Sequence, residues 1–129
     1  LMLSRIRRAQ AEADGLAGRD PHATIDAYFA AVRAKDVDAF VALFAPDADY
    51  TMPNGTRLEG HEAIRQTQSM VFESGSPFPT PGARYTGPDG VAGEGHGKVP
   101  DGAARKTAKL YLFKPAGQIR SLAVTMRAG

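Results

Sequence analysis

Tyr28, Glu94, His96 and Lys109 are side chains of the types that move protons or steady an oxyanion. Glu94 and His96 stand two apart in GEGHGK, so a strand there turns both, with Lys98, to one side and Gly93, Gly95 and Gly97 to the other. A histidine changes charge near pH 6.5 and serves as acid or base about neutrality. Lys109 lies in RKTAKLYLF, where the same alternation groups it with Arg105, Thr107, Tyr111 and Phe113, against Ala108, Leu110 and Leu112. An inward lysine left ionised and unpaired is costly. It would therefore pair with Glu94, take a ligand anion or give up its proton. Aimed at a carbonyl oxygen, it would stabilise an enolate. The opposite register stays open, because a slip of one residue turns Glu94 and His96 to solvent.

Composition narrows the classes of function. A chain of 129 residues suits one domain, and 43% hydrophobic with 23% charged residues is ordinary for a globular protein. The net charge is +2 and the densest basic cluster is Arg5, Arg7 and Arg8, without interleaved aromatics, so a nucleic-acid partner is not expected. Cysteine is absent, which excludes disulfides, thiol catalysis and cysteine-bound zinc. The apolar runs are too short for a membrane span. The opening LMLSRIRRAQAEADGLAGRD has arginines but no apolar stretch or small-residue cleavage pattern, so cytoplasmic residence is the default expectation.

The elements that must position these side chains follow from periodicity and punctuation. Leu3, Ile6, Ala9, Ala13 and Leu16 predict a helix over 3–17, which either packs on the domain or serves as a surface or partner helix. Asp20-Pro21 starts the next helix, with Ile25, Tyr28, Phe29 and Val32 on one stripe. Tyr28 on that stripe is either core or ligand contact. Asp36 caps a second helix carrying Val37, Phe40, Val41 and Phe44, which Ala45-Pro46 is expected to end. Residues 48–52 alternate, with Tyr50 and Met52 on one face, before a Pro53-Asn54-Gly55 turn and a return strand at 56–59. A third helix spans 61–73 with Ile64, Gln68 and Val71 on one face; His22 and His61, in first turns, are expected in solvent. The Pro-rich stretch 75–82 reads as an extended loop. Strands follow at 84–86, 91–99, 105–113 and 118–126, with turns at Pro100-Asp101-Gly102 and Pro115-Ala116-Gly117. Helices followed by an antiparallel meander predict an α+β domain.

The segments VALFAPDADY, MPNG, GHEAIR and LYLFKPAGQIRSLAV, in this order, resemble the nuclear transport factor two-like superfamily, and within it ketosteroid isomerases and SnoaL-like polyketide cyclases. The likeness covers residues 22–127 and divides the chain into a helical extension, 1–20, and a domain, 21–129. It implies a curved antiparallel sheet wrapped on three helices as a cone with an apolar pocket, often dimeric through the outer sheet face. Ketosteroid isomerase uses an aspartate base and an oxyanion hole of tyrosine and protonated aspartate. By this resemblance the tyrosine falls on Tyr28, the base on Met52 and the protonated aspartate on Lys109. A thioether takes no proton, so standard steroid isomerisation is not expected, and the Asp-His pairs of related dehydratases are not evident either. Setting Asp101-Gly102 on the family's hairpin turns Glu94, His96 and Lys98 inward beside Lys109. Tyr50, Met52, Tyr111, Leu122, Val124 and Met126 would line the pocket, while Leu110 and Leu112 would meet a second copy.

The resemblance and these residues together give two expectations. The first is an enzyme acting on a small apolar carbonyl-bearing molecule by isomerisation, cyclisation or dehydration, without cofactor or metal. Tyr28 and Lys109 would polarise the oxygen, and His96 or Glu94 would move the proton. The second is a non-catalytic ligand-binding or dimeric assembly module, favoured by the loss of both family carboxylates. Neither involves nucleic acid or a membrane.

Overall fold

Asp20 starts the first helix by accepting a hydrogen bond from the His22 N–H at 2.9 Å, and Pro21 occupies the first turn, where its missing N–H costs nothing. The computed structural model describes residues 20–75, 78–98 and 103–128. The expected helix at 3–17, the turn at 100–102 and the Lys98 side chain lie outside the described residues. Helix α1 (Pro21–Ala34) buries Ile25, Tyr28 and Val32 and ends at Lys35, whose φ of 53° is left-handed. Asp36 accepts from the Ala39 N–H at 3.0 Å and begins α2 (Val37–Ala42).

The expected stop at Ala45-Pro46 comes too late. Helix α2 ends at Ala42, Leu43 caps it, and strand β1 (Phe44–Thr51) contains Pro46. The strand register against its parallel neighbour shifts between Phe44 and Asp49, and such an irregularity can take a residue with no N–H to donate. Gly55, with φ 87°, turns the chain into β2 (Arg57–Glu59), and Asn54 accepts from the Thr56 N–H. Helix α3 (Gly60–Glu73) buries Ile64, Gln68 and Phe72; Phe72, one residue on, takes the place expected of Val71. His61 donates from Nε2 to the Phe44 carbonyl oxygen at 2.7 Å, so this half-buried ring ties α3 to β1 rather than facing solvent.

Strands β3 (Thr80–Thr86), β4 (Gly90–Lys98), β5 (Ala104–Phe113) and β6 (Ile119–Ala128) form the meander. Strand β3 begins inside the stretch expected to be loop. It tolerates Pro81 because it is the outer strand, and its register slips between Pro81 and Arg84. The sheet order is β2-β1-β6-β5-β4-β3, antiparallel throughout except for β1 against β6. The curved sheet packed on the helices is the α+β cone that the sequence leads one to expect. Phe40, fully buried, sits at the centre of the core. Its ring centroid lies 5.0 Å from Tyr28, 5.2 Å from Phe44, 6.1 Å from Phe72 and 6.4 Å from Tyr50. Among the described residues no helix is long and apolar enough to cross a membrane.

Candidate functional site

Register decides which polar side chains share the interior. Tyr111 stands between Val91 and Leu122, and all three are almost wholly buried, so this face of β5 is the inner one. Lys109 stands between Gly93 and Val124 on that face, and Thr107 between Gly95 and Met126. Glu94 pairs with Ala108 and His96 with Lys106, which puts both on the outer face, where both are exposed. The inward placement of Glu94 and His96 is therefore corrected.

The physical reason is crowding. A Cβ on Gly95 would collide with Thr107 Oγ1, and one on Gly97 would lie 3.1 Å from Pro79 Cα. Pro79 lies across the inner side of β4, where glycines leave room that glutamate or histidine would not. Gly93 differs: a Cβ there would meet Tyr111 Cε2 at an ordinary 3.6 Å. Beside it is a cavity of about 10 Å³, bordered by Phe29, Lys109 and Tyr111 and covered by Pro79, Pro81 and Gly82. That volume matches one water.

The Lys109 Nζ lies 4.8 Å from the Phe29 ring centroid and 5.2 Å from that of Tyr28, so two π faces receive its charge. Among the described residues no carboxylate pairs with it, and burial pushes its pKa down to about 8. The Tyr111 hydroxyl is buried with no hydrogen-bond partner, and burial pushes its pKa up. Glu94 borders the cavity, yet its carboxylate accepts from the Tyr85 O–H at 3.5 Å on the exposed side. Among the described residues no cluster of histidine and carboxylate side chains could hold a metal.

Tyr28 is satisfied within the protein. Burial raises its pKa well above the usual value, and its O–H donates to Tyr50, whose pKa burial also raises. Tyr28 thus supplies a ring beneath Lys109 and an edge to Tyr111, with centroids 5.7 Å apart. The expected pocket walls divide. Tyr50, Leu122 and Val124 are core, Met52 packs against that core, and Met126 is 44% exposed; only Tyr111 of the six borders the cavity. The deep part of the cone is filled by its own side chains.

Sequence reasoning missed Arg84. Its Nη2 donates to Asp26 Oδ1 at 2.7 Å, and its Nη1 reaches the His22 carbonyl and Nδ1, each at 3.4 Å. His22 Nε2 in turn lies 2.9 Å from Thr86 Oγ1. This clasp fastens the first turns of α1 to β3, so His22 is not free in solvent. Its one advance signal was a basic residue on the inner side of a short strand.

Residues 25–110, more than half of the chain, match the family described as a SnoaL-like domain. The chain is a SnoaL-like domain. No curated protein sequence matches it. The fold recurs in a protein of Sinorhizobium meliloti assigned as a polyketide cyclase: TM-score 0.71, 22% identity, covering 79% of this chain and 93% of that one. A steroid delta-isomerase of Pseudomonas aeruginosa gives TM-score 0.71 at 17% identity over 83% of this chain and 79% of the other. SalBIII, an epoxide hydrolase/cyclase-like enzyme of pyran ring formation in salinomycin, gives TM-score 0.71 at 22% identity over 84% and 95%. At these identities the likeness establishes the fold of this SnoaL-like domain.

Proposed function

We propose that this SnoaL-like domain binds a small, largely apolar molecule through a carbonyl oxygen and labilises a proton beside that carbonyl. Such a step belongs to cofactor-independent isomerisation, cyclisation or dehydration. One observation carries the reading: one cavity is bordered both by Lys109, whose half-buried amine has no counter-ion among the described residues, and by Tyr111, whose buried hydroxyl has no hydrogen-bond partner. Leaving a buried donor unmet costs about 1–3 kcal/mol, and more for a charged group. A carbonyl oxygen would meet both. As the neighbouring proton leaves, negative charge collects on that oxygen, where a cation and a phenol already stand.

The cavity of about 10 Å³ takes the oxygen, and the apolar body of the ligand must displace the cover. Strand β3 is the element to yield, since it is the outer strand and most of its residues are exposed. The base role of the steroid isomerases has no counterpart here, because Met52 occupies that position by resemblance. Glu94 and His96, on the outer face, carry no proton in this reading. The names of the structural neighbours, a polyketide cyclase and a steroid delta-isomerase, fall in the same range of reactions.

Hydrogen–deuterium exchange beside the carbonyl of cyclohexanone, followed by NMR in heavy water, tests this without knowledge of the natural substrate. The wild-type domain should accelerate exchange over buffer, and Lys109→Met should remove about tenfold or more of that acceleration. Exchange no faster than in buffer would contradict the proposal.

An apolar row on the outer face supports a second reading, assembly with another copy. Tyr85, Ala92, Leu110 and Ala123 are cross-strand neighbours, and Tyr85 and Leu110 are 59% and 47% exposed. Native mass spectrometry should give a dimer that Leu110→Glu splits into monomers; a monomeric wild type would overturn this reading. Ligand bound by the wild type without any exchange activity would select the non-catalytic module.

A further inference from the structure

The site has an amine and a phenol but, among the described residues, no inward carboxylate or imidazole to take a proton. Glu94 and His96 lie across the sheet, His22 bonds Thr86 and Arg84, and Asp26 is held at the surface by Arg84. An isolated enolate mechanism would need such a base. The amine itself offers a different route. Its Nζ stands over the rings of Phe29 and Tyr28, without a counter-ion, at a cavity that Tyr111, whose hydroxyl has no partner, also borders.

We propose that Lys109 is a nucleophile whose Nζ condenses with the carbon of an aldehyde or ketone to form an imine. The inference rests on the reading that this cavity takes a carbonyl, and it assigns the amine's part. The nitrogen lone pair forms the new N–C bond, and the carbonyl π pair moves to oxygen, which takes a proton from the Tyr111 hydroxyl. The amine proton returns to Tyr111. The hydroxyl of the resulting carbinolamine takes a proton from solvent and leaves as water while nitrogen, keeping its remaining proton, makes its second bond to carbon. The net change is amine plus carbonyl plus one proton to protonated imine plus water, with no oxidant or reductant. The protonated imine carries its positive charge on the bond to be activated, so water suffices to take the adjacent proton. Hydrolysis restores the amine.

The surroundings favour this chemistry. A desolvated lysine is the usual form of an amine nucleophile. With a pKa of about 8 against 10.5, Lys109 is neutral roughly three hundred times more often than an ordinary lysine at pH 7. Gly93 leaves the space beside Tyr111 that an incoming carbonyl needs.

Reductive trapping provides the test. The full chain is incubated at pH 7 with limiting propanal and cyanoborohydride, and the propylated sites are read by intact mass and peptide mapping. Lys109 should be labelled about tenfold or more faster than any other lysine, separately from the N-terminal amine, which also reacts near neutral pH. Lys109→Met should lose that label, and Gly93→Val, which fills the space while keeping the amine, should slow it about tenfold. Labelling of Lys109 at the rate of the other lysines, or a rate unchanged in Gly93→Val, would overturn the proposal. If cyclohexanone exchange is accelerated while Lys109 stays unlabelled, the imine is wrong and the carbonyl reading stands. If neither occurs, both fall.

Discussion

Around Phe40 the interior is closed by the rings of Tyr28, Phe44, Tyr50 and Phe72, and the Tyr28 hydroxyl donates to that of Tyr50. Beneath β3 the same cone holds a water-sized gap, an amine without a counter-ion and a tyrosine without a partner. Both ends use aromatic and polar residues of similar kinds, so residue type does not distinguish them. Satisfaction does. The first end stabilises the fold, and the second retains a cost that a ligand can relieve.

The largest effect should come from breaking the satisfied end. Phe40→Ala removes a fully buried ring from four aromatic neighbours and should cost about 3–5 kcal/mol, read as a lower urea midpoint. At the other end, Lys109→Met should stabilise the domain at pH 7 by up to about 3 kcal/mol, following from the fall in pKa from 10.5 to about 8. The sign is fixed by proton counting. Between pH 8 and 10.5 the unfolded chain holds this proton more tightly than the folded one, so wild-type stability rises with pH through that window. The advantage of Lys109→Met should therefore shrink from pH 8 upwards and vanish above 10.5, in urea titrations of both proteins.

A smaller contrast separates two tyrosines. Tyr28→Phe leaves Tyr50 without its donor and should cost about 1 kcal/mol. Tyr111→Phe removes an unpartnered buried hydroxyl and should be neutral or stabilise by about as much. Equal losses in thermal or urea unfolding would erase the contrast. The weakest effect belongs to the clasp. Arg84→Ala breaks a pair with exposed Asp26 and should cost about 0.2–1 kcal/mol, with hydrogen exchange of β3 amides rising before that of β5.

Local chemistry made most of the fold legible in the sequence. Asp20-Pro21 and Asp36 cap helices as expected, the stripe of Ile25, Tyr28 and Val32 is buried, and Gly55 and Gly117 take the positive φ of their turns. Helix and turn signals lie within a few residues of their consequences. The site depends on longer connections. Which face of GEGHGK points inward is set by Pro79 lying across Gly97 and by Thr107 opposite Gly95. Alternation alone allows either face, and the resemblance chose the wrong one for Glu94 and His96. Lys109 was placed on the inner side, since large apolar neighbours accompany it on β5. The Tyr28–Tyr50 bond and the reach of Arg84 to His22 and Asp26 join residues far apart in the chain, and no local pattern announces them.

The central claim is that Lys109 and Tyr111 receive a carbonyl. Its most direct test is the carbon-13 resonance of cyclohexanone labelled at the carbonyl, recorded with the wild-type domain and with Lys109→Met. The account predicts a displaced resonance with the wild type, moved by hydrogen bonding or to the position of an imine carbon, and its loss in the variant. A resonance that the wild-type domain leaves in place, or displaces equally in Lys109→Met, would contradict it.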